Sequence, residues 1–550
     1  MDATETAEAG SITPLVYHQR TRHLLERYAL GPAMLDWDAQ PDPFRRYAPC
    51  QVLPLPLQAA HWPVSCDALH QGLSAQPMTL AAVGLVLECS LGLAAWKSYG
   101  SQRWALRCHP SSGNLHPTEG YVVATGIDGL PDGVHHYRPD IHGLEQRCLF
   151  AHQDIPGQAP RLLIGLSTIF WREAWKYGER AYRYCALDMG HVLASVSYAA
   201  ALVGWQLQPL WSWGDAEVAA LLGLDQPWGN AEPEWPELLL EVRANQTMDA
   251  ASLPEDWLSL VRAGSWQGQA NRLDPDPCYR WPVIEAVARA TARPAGLQPI
   301  AQASSTGQGA ARPALPGGTV RAAELILQRR SAQHFDPKGS MSQEALRELL
   351  GLLAPQPAIA PWSMGNLPAR VHLVLFVHRV TGLAPGLYAL PRSPEGHVLM
   401  QQAMDQRFAW ESCAGLSQDG WTSYLLQQGD AREVAGLICC HQAIAAQGCV
   451  ALAMLAELEP WVAEAPWRYR LLHWEAGILG QVLYLGAEGL GLRGTGIGCF
   501  FDEALAELLG LADQRLHSLY HFTIGHPLMD QRIAIQPPYA HLKRGKNTKG

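Results

Sequence analysis

Two kinds of apolar pattern alternate along this chain. The segment Gly190 to Val203, GHVLASVSYAAALV, is apolar on nearly every face of a helix, which predicts a helix covered on all sides rather than one lying on a surface. Shorter apolar runs predict paired strands: Gly120 to Gly126 (GYVVATG) with a later HHYRPD, and Val371 to His378 (VHLVLFVH) with a later GLYALP. The most apolar stretch, Leu80 to Trp96, holds Glu88 and two glycines and falls short of the ~20 clean residues of a membrane span. It reads as a core helix. Between Arg293 and Thr319 the pattern lapses into Pro, Gly, Ala, Ser and Gln, the composition of a linker.

The linker separates two copies of one pattern. Gly190 and Gly477 lie 287 positions apart, and the same offset pairs Asp188 with Glu475, Gly204 with Gly491, Asp215 with Asp502, and Leu221-Leu222-Gly223-Leu224 with Leu508-Leu509-Gly510-Leu511. Each copy therefore reads as a long helix, a glycine turn and a shorter helix. Nearer the start of each copy the offset is 251, pairing Pro117 with Pro368 and Tyr137 with Tyr388. Helices apolar all round in duplicated units predict an internal dimer, each unit covering its twin. The expected boundaries are a unit over 1–290, a linker over 291–319, a second unit over 320–540 and a polar basic tail over 541–550.

Composition narrows the classes. Of 550 residues 48% are hydrophobic and 17% charged, and the net charge is -10, which argues against a general nucleic-acid binder. Twelve cysteines without a C-x-x-C pair indicate free thiols of a reducing, cytoplasmic setting rather than a disulfide scaffold. The N-terminus shows no secretory pattern, and neither a membrane nor a nucleic-acid partner is expected.

Several motifs have a structural and a chemical reading. Arg329-Arg330-Ser331-Ala332-Gln333 follows a helix that Thr319 could cap; the arginines either complete its last turn or clamp a phosphate. Pro110-Ser111-Ser112-Gly113-Asn114 is either a surface turn or a loop converging on a ligand edge. Lys176-Tyr177, within WKYGER, is either a solvated charged turn or an acid and base pair. Gly489-Leu490-Gly491-Leu492-Arg493-Gly494 follows a helix rather than a strand and so fails as a dinucleotide fingerprint, although Gly496-Ile497-Gly498 leaves backbone open to a flat ligand. His135-His136 and Cys439-Cys440-His441 lack standard metal spacing and read as structural.

Taken together, RRSAQHF, PSSGNLHP before a strand, DMGHVLASVSYAAALVGW, HWEAGILGQVLYLGAEGLGL, GTGIG and LLGL resemble the nitroreductase family of FMN proteins. YHQRTRHLLERYALGPAMLDWDAQPDPFRRY, WKYGERAYRY and PSSGNLHPTEGY resemble its SagB-type dehydrogenase branch in a tandem form. The resemblance runs from Tyr17 to Tyr539. It implies an α+β fold of two units, each a mostly antiparallel sheet with helices, forming an intramolecular pseudo-dimer with FMN at the interface. It also implies phosphate contacts from Arg329, Ser331, Gln333 and Arg532, a partner loop of Pro110, Ser111, Ser112 and Asn114, and backbone contacts from Gly496, Ile497 and Gly498. Lys176 and Tyr177 match a pair associated with substrate proton removal.

The repeats then make the two expected sites unequal. PSSGN aligns with Pro361-Trp362-Ser363-Met364-Gly365, Thr495 to Gly498 aligns with Gln208-Pro209-Leu210-Trp211, and the front unit offers Leu53-Pro54-Leu55-Pro56 where the back has its arginines. One FMN per chain is the expectation, with hydride exchange in two half-reactions, a small-molecule or peptide substrate, NAD(P)H as a candidate electron donor, and a monomer in solution. A peptide azoline dehydrogenase and a scaffold without turnover, with or without flavin, are the competing readings.

Overall fold

The computed structural model describes residues 12–151, 159–244, 254–298, 312–357, 359–365, 367–418, 421–511 and 515–542. The centre of the expected linker and most of the basic tail lie outside these. The front half contains α1 (Leu80–Glu88), β1 (Leu93–Tyr99), β2 (Gln102–Arg107), β3 (Thr118–Thr125), β4 (Gly133–Arg138), β5 (Gly143–Leu149), β6 (Arg161–Thr168), α2 (Phe170–Tyr177), α3 (Ala181–Leu202), β7 (Gln206–Pro209), α4 (Asp215–Leu222) and β8 (Trp235–Arg243). The back half contains α5 (Ala322–Gln328), β9 (Val371–Val377), β10 (Gly386–Leu390), β11 (Tyr424–Gln428), β12 (Val450–Glu457), α6 (Arg468–Gly489), β13 (Arg493–Ile497), α7 (Asp502–Leu509), β14 (Leu516–Gly525) and β15 (Ala534–Gln536).

The two main sheets share one strand order. It runs β5-β4-β3-β6-β8-β7 in front and β11-β10-β9-β12-β14-β13 behind, antiparallel at every step. Because strand side chains alternate, each sheet splits its apolar residues between two cores. Val122 and Ala124, like Leu373 and Leu375, face a core shared by both halves; Tyr121 and Val123 face a core of the front half alone, and Val374 and Phe376 one of the back half alone. The fold is α+β, with two units of the same topology.

The Leu80–Trp96 stretch is not one helix. It is helical only to Glu88, turns at Gly92, where the amide bonds to the Leu87 carbonyl at 2.8 Å, and continues as β1. The helix before the arginines starts at Ala322 with Arg321 at its N-cap, so Thr319 does not cap it. Among the described residues, the one stretch long and apolar enough to cross a membrane is Phe170–Leu202, and 94% of its apolar 18-residue window is buried within the protein.

The halves meet along α3 and α6. A Cβ added to Gly190 would stand 2.2 Å from the Trp474 carbonyl oxygen and 2.8 Å from the Gly477 Cα, so the helix backbones touch where the repeat offset pairs them. The same offset relates Arg183 to Arg470 and Asp215 to Asp502. Arg183 reaches Asp502 at 3.3 Å and Arg470 reaches Asp215 at 2.8 Å, a reciprocal exchange of the kind a two-fold interface requires. The halves also interlock: β15 pairs with β1, and the Leu93 amide donates to the Tyr539 hydroxyl at 2.9 Å.

The WKYGER segment is not solvated, since Glu179 and Arg180 are buried. Buried too is His136, between Glu119 at 3.0 Å and Glu145 at 2.9 Å. Burial acts to lower its pKa, but the hydrogen bonds and charges of both glutamates outweigh it and raise it to about 9.

Two tests follow from these contacts. Gly190→Ala is expected to cost upward of ~3 kcal/mol, because its methyl meets backbone rather than a yielding side chain; a melting curve indistinguishable from the wild type would contradict the crossing. A raised histidine pKa stabilises the fold below the unfolded value near 6.5, and that contribution is lost as pH rises through the folded value of about 9. It amounts to roughly 3 kcal/mol. Chemical denaturation at pH 6 and pH 9.5 should show this decline in the wild type and a flatter profile in His136→Gln.

Candidate functional site

The structure brings most of the motif residues to one side of the interface. Helix α2 ends at Tyr177 because Gly178 turns the chain with φ of 57°, where a Cβ would meet the Leu30 carbonyl oxygen at 2.4 Å. That turn aims Lys176 and Tyr177 at the Pro110–Asn114 loop. A Cβ on Gly113, itself at φ of 58°, would lie 2.6 Å from the Tyr177 hydroxyl and 3.1 Å from Lys176 Nζ. Lys176 Nζ also stands 5.3 Å from the centre of the Trp37 ring. Its pKa is lowered by burial, with Glu173 acting the other way.

Within the loop, Ser112 donates from its amide and its hydroxyl to Asp188 at 3.1 and 3.0 Å. Ser111 donates to Glu173 at 3.4 Å. Asn114 is engaged locally, its amide nitrogen donating to the Ala105 carbonyl at 2.9 Å and its oxygen facing His116 at 3.0 Å, so that side chain is committed to holding the loop. Pro110 keeps His109 in place through its carbonyl at 3.1 Å. Glu173 and Asp188 were not singled out from sequence for this role. Burial raises both pKa values, that of Glu173 well above the carboxylate range with Asp188 adding to it, and that of Asp188 to about 7. One Glu173 oxygen, Oε2, has no hydrogen-bond partner.

The back half supplies the facing wall. Strand β13 is the edge of its sheet. The Gly496 amide donates to the Tyr484 hydroxyl at 2.8 Å, and the Gly498 carbonyl accepts from the Tyr184 hydroxyl at 3.2 Å and from Arg180 at 3.3 Å. Tyr184 lies edge-on to Tyr177, ring centres 4.7 Å apart, so Lys176-Tyr177 and the glycine strand share one cluster. The Ile497 side chain points away into a small core with Cys439 and Ala445.

Beyond Tyr484 the site becomes cationic. Arg329, 3% exposed, donates to the Cys108 and Arg107 carbonyls at 3.0 and 3.3 Å, while its Nη1 has no hydrogen-bond partner. Ser331 shares a hydrogen bond with the Tyr484 hydroxyl at 2.9 Å. Ser331 and Gln333 line a pocket with Lys97, Arg493, Met529, Ile535 and one carboxylate, Asp530. The Lys97 pKa is lowered by burial and then by Arg330, Arg493 and Arg329. Glu488 stands 3.5 Å from Arg493. Cations gathered against their own repulsion, with a buried guanidinium nitrogen left unpaired, suit an anion such as a phosphate.

Arg532 departs from the expectation. Its side chain is 72% exposed and is held at 2.8 Å by Asp530, whose own carboxylate lines the pocket. Lys97 and Arg493 stand there instead. Arg493 lay within a glycine run read only for its backbone, and Lys97 arrives through pairing with Ile535, a contact between positions more than four hundred residues apart.

The pseudo-symmetric location is closed. Strand β7 occupies the edge position there, and the turn Trp362–Met364 packs against it. Trp211, Trp362 and Met364 are buried in the shared core, placing bulky side chains where the other side has glycines, whereas Leu210, like its counterpart Ile497, turns away, into the core of the front half alone.

Known proteins show the same architecture. Residues 326–526 match the model of the Nitroreductase family, whose members are oxidoreductases, typically FMN-dependent. A crystal structure of a nitroreductase-like protein from Anabaena variabilis ATCC 29413 aligns over 93% of this chain and 99% of its own, with a TM-score of 0.65 and 22% identity, a likeness of fold across both halves. The nitroreductase-family protein MJ1384 of Methanocaldococcus jannaschii is 26% identical over 176 residues, 30% of this chain and 81% of that relative. The trifolitoxin-processing protein TfxB of Rhizobium leguminosarum bv. trifolii is 33% identical over 130 residues, 21% of this chain and 35% of that protein.

Proposed function

We propose that this chain is an FMN-dependent oxidoreductase with one composite cofactor site, built by a back unit over 320–540 and completed by the loop of a front unit over 1–290. The observation that carries this reading is the one-sided cation cluster around the unpaired Arg329 Nη1, together with the filling of its pseudo-symmetric counterpart by Trp211 and Trp362. Arg329, Ser331, Gln333, Lys97 and Arg493 would hold the phosphate, and the backbone of Gly496 and Gly498 would border the ring. Bound FMN would supply a ring that accepts and returns a hydride.

The residues of the chain itself handle binding and the proton. Burial favours the neutral amine of Lys176, which suits it to accept a proton from a substrate carbon while the Tyr177 hydroxyl, whose pKa is raised by burial, stays protonated and donates a hydrogen bond. Ser112, fixed by Asp188, and Glu173 hold the loop against which both side chains lie.

A second reading, in which the substrate is a peptide azoline oxidised to an azole, is favoured by Lys176-Tyr177 and by the similarity to a protein named for processing trifolitoxin. Such an enzyme would work beside a cyclodehydratase on a precursor peptide.

The cofactor reading is tested by absorbance from 300 to 550 nm with released flavin counted per chain. About one FMN per chain, lost in Arg329→Ala, is expected. Two per chain would overturn the single site, and none after added FMN would leave a scaffold. For the base, Lys176→Ala is expected to retain flavin yet lower kcat on a thiazoline peptide by ~10²–10⁴. The wild-type rate should rise with pH as Lys176 loses its proton, and the variant should lack that limb.

A further inference from the structure

Immediately after Gly498 the chain places a second set of reactive groups that the proposed redox site does not use. Cys499 Sγ lies 2.8 Å from Cys440 Sγ. Both cysteines are free and half-buried. Two hydrogen bonds pin their backbones on either side of the sulfurs: the Phe501 amide donates to the Ile438 carbonyl at 2.7 Å, and Gln442 Nε2 donates to the Cys499 carbonyl at 3.1 Å. Cys440 and the following His441 are both left-handed, with φ of 52° and 57°. Two consecutive non-glycine residues in that region cost on the order of 1–3 kcal/mol each. The strained turn delivers the Cys440 thiol to Cys499.

The surroundings favour one sulfur as the nucleophile. Hydrogen bonding from Cys440 lowers the Cys499 pKa, with His23 and Arg180 adding to the effect against burial, while the Cys440 pKa is raised. His23 comes from the N-terminal arm, held where its amide donates to Asp502 at 2.9 Å. The neighbouring Cys439 is not the third member of a ligand set, since its sulfur faces His521 at 3.5 Å. Among the described residues no three His, Cys, Asp or Glu side chains are placed to hold a metal.

We propose that Cys499 and Cys440 form a redox-modification site, a dithiol that a hydroperoxide converts to a disulfide beside the glycine strand. The Cys499 thiolate attacks one peroxide oxygen, the O–O bond breaks, and the departing oxygen takes up a proton and leaves as alcohol or water. Cys499 then carries a sulfenic hydroxyl. The Cys440 sulfur displaces that hydroxyl, which leaves as water with the thiol proton, and the S–S bond forms. Two thiols lose two electrons and the two peroxide oxygens gain them. The low-pKa sulfur attacks and the adjacent thiol resolves, the division of labour expected of a reversible site. The resulting bond would tether the 438–442 turn to the residue after Gly498.

The test uses the full-length reduced chain without added flavin, so its outcome is independent of the cofactor reading. After treatment with stoichiometric hydrogen peroxide, denaturing alkylation and peptide mass spectrometry should find a Cys440–Cys499 cross-link two hydrogens lighter than the separate thiols and reversed by dithiothreitol. In Cys440→Ser, dimedone should label Cys499. If both thiols remain as alkylatable as before treatment while the exposed Cys278 is oxidised, the proposal fails. It fails equally if Cys440 pairs with another cysteine, or if dimedone labels Cys440 in Cys499→Ser and leaves Cys499 unlabelled in Cys440→Ser.

Discussion

Where α3 and α6 cross, Gly190 and Gly477 bring two helix backbones into direct contact, and the rest of the molecule depends on that closeness. Any side chain at the crossing would push the sheets apart and open the core that their inner faces share. It would also part Arg183 from Asp502 and Arg470 from Asp215, buried pairs worth keeping mainly because either partner alone would be a stranded charge. Close approach of the helices lets the Trp362–Met364 turn of the back half pack against β7 of the front half, and lets Tyr184 and Arg180 of the front half reach the Gly498 carbonyl of the back half.

Duplication supplies two such locations, and the chain has treated them differently. On one side the edge strand is Arg-Gly-Thr-Gly-Ile and the loop is small and polar; on the other, the edge strand packs against the Trp362–Met364 turn, and Trp211, Trp362 and Met364 are buried in the shared core. Large apolar side chains stabilise the interface by ~1.5–3 kcal/mol each when buried. The other side forgoes that gain and gathers cations instead. Apolar packing is concentrated on one side of the pseudo-axis and unrelieved positive charge on the other.

Much of this was legible in the sequence because duplication makes positions comment on each other. The offset of 287 matched the two central helices and paired Gly190 with Gly477, which the structure places in contact. Other features left no local trace. Strands β7 and β13 are only four and five residues long and, rich in Gly, Pro and Gln, look like turns until a neighbouring strand pairs with them. The Leu80–Trp96 run is uniformly apolar, and only the turn at Gly92 divides helix from strand. Lys97 belongs to the cationic pocket through a pairing no spacing rule anticipates, whereas Arg532, expected there, found Asp530 two residues away. Glu173 carried no motif and Asp188 entered only through its repeat pairing with Glu475 and the helix motif it opens; what sets both apart is burial.

The strand Ala534–Gln536 completes a sheet begun by Leu93–Tyr99 and Gln102–Arg107, and it bears on how the protein is made. A ribosome delivers the front half first, but the outer edge of that hairpin must wait, unpaired, while more than four hundred further residues emerge. Lys97 lies on the waiting strand. The pocket that Lys97 and Ile535 both line therefore cannot form until Ala534–Gln536 has been synthesised, and a chain ending before that strand would expose an unpaired edge.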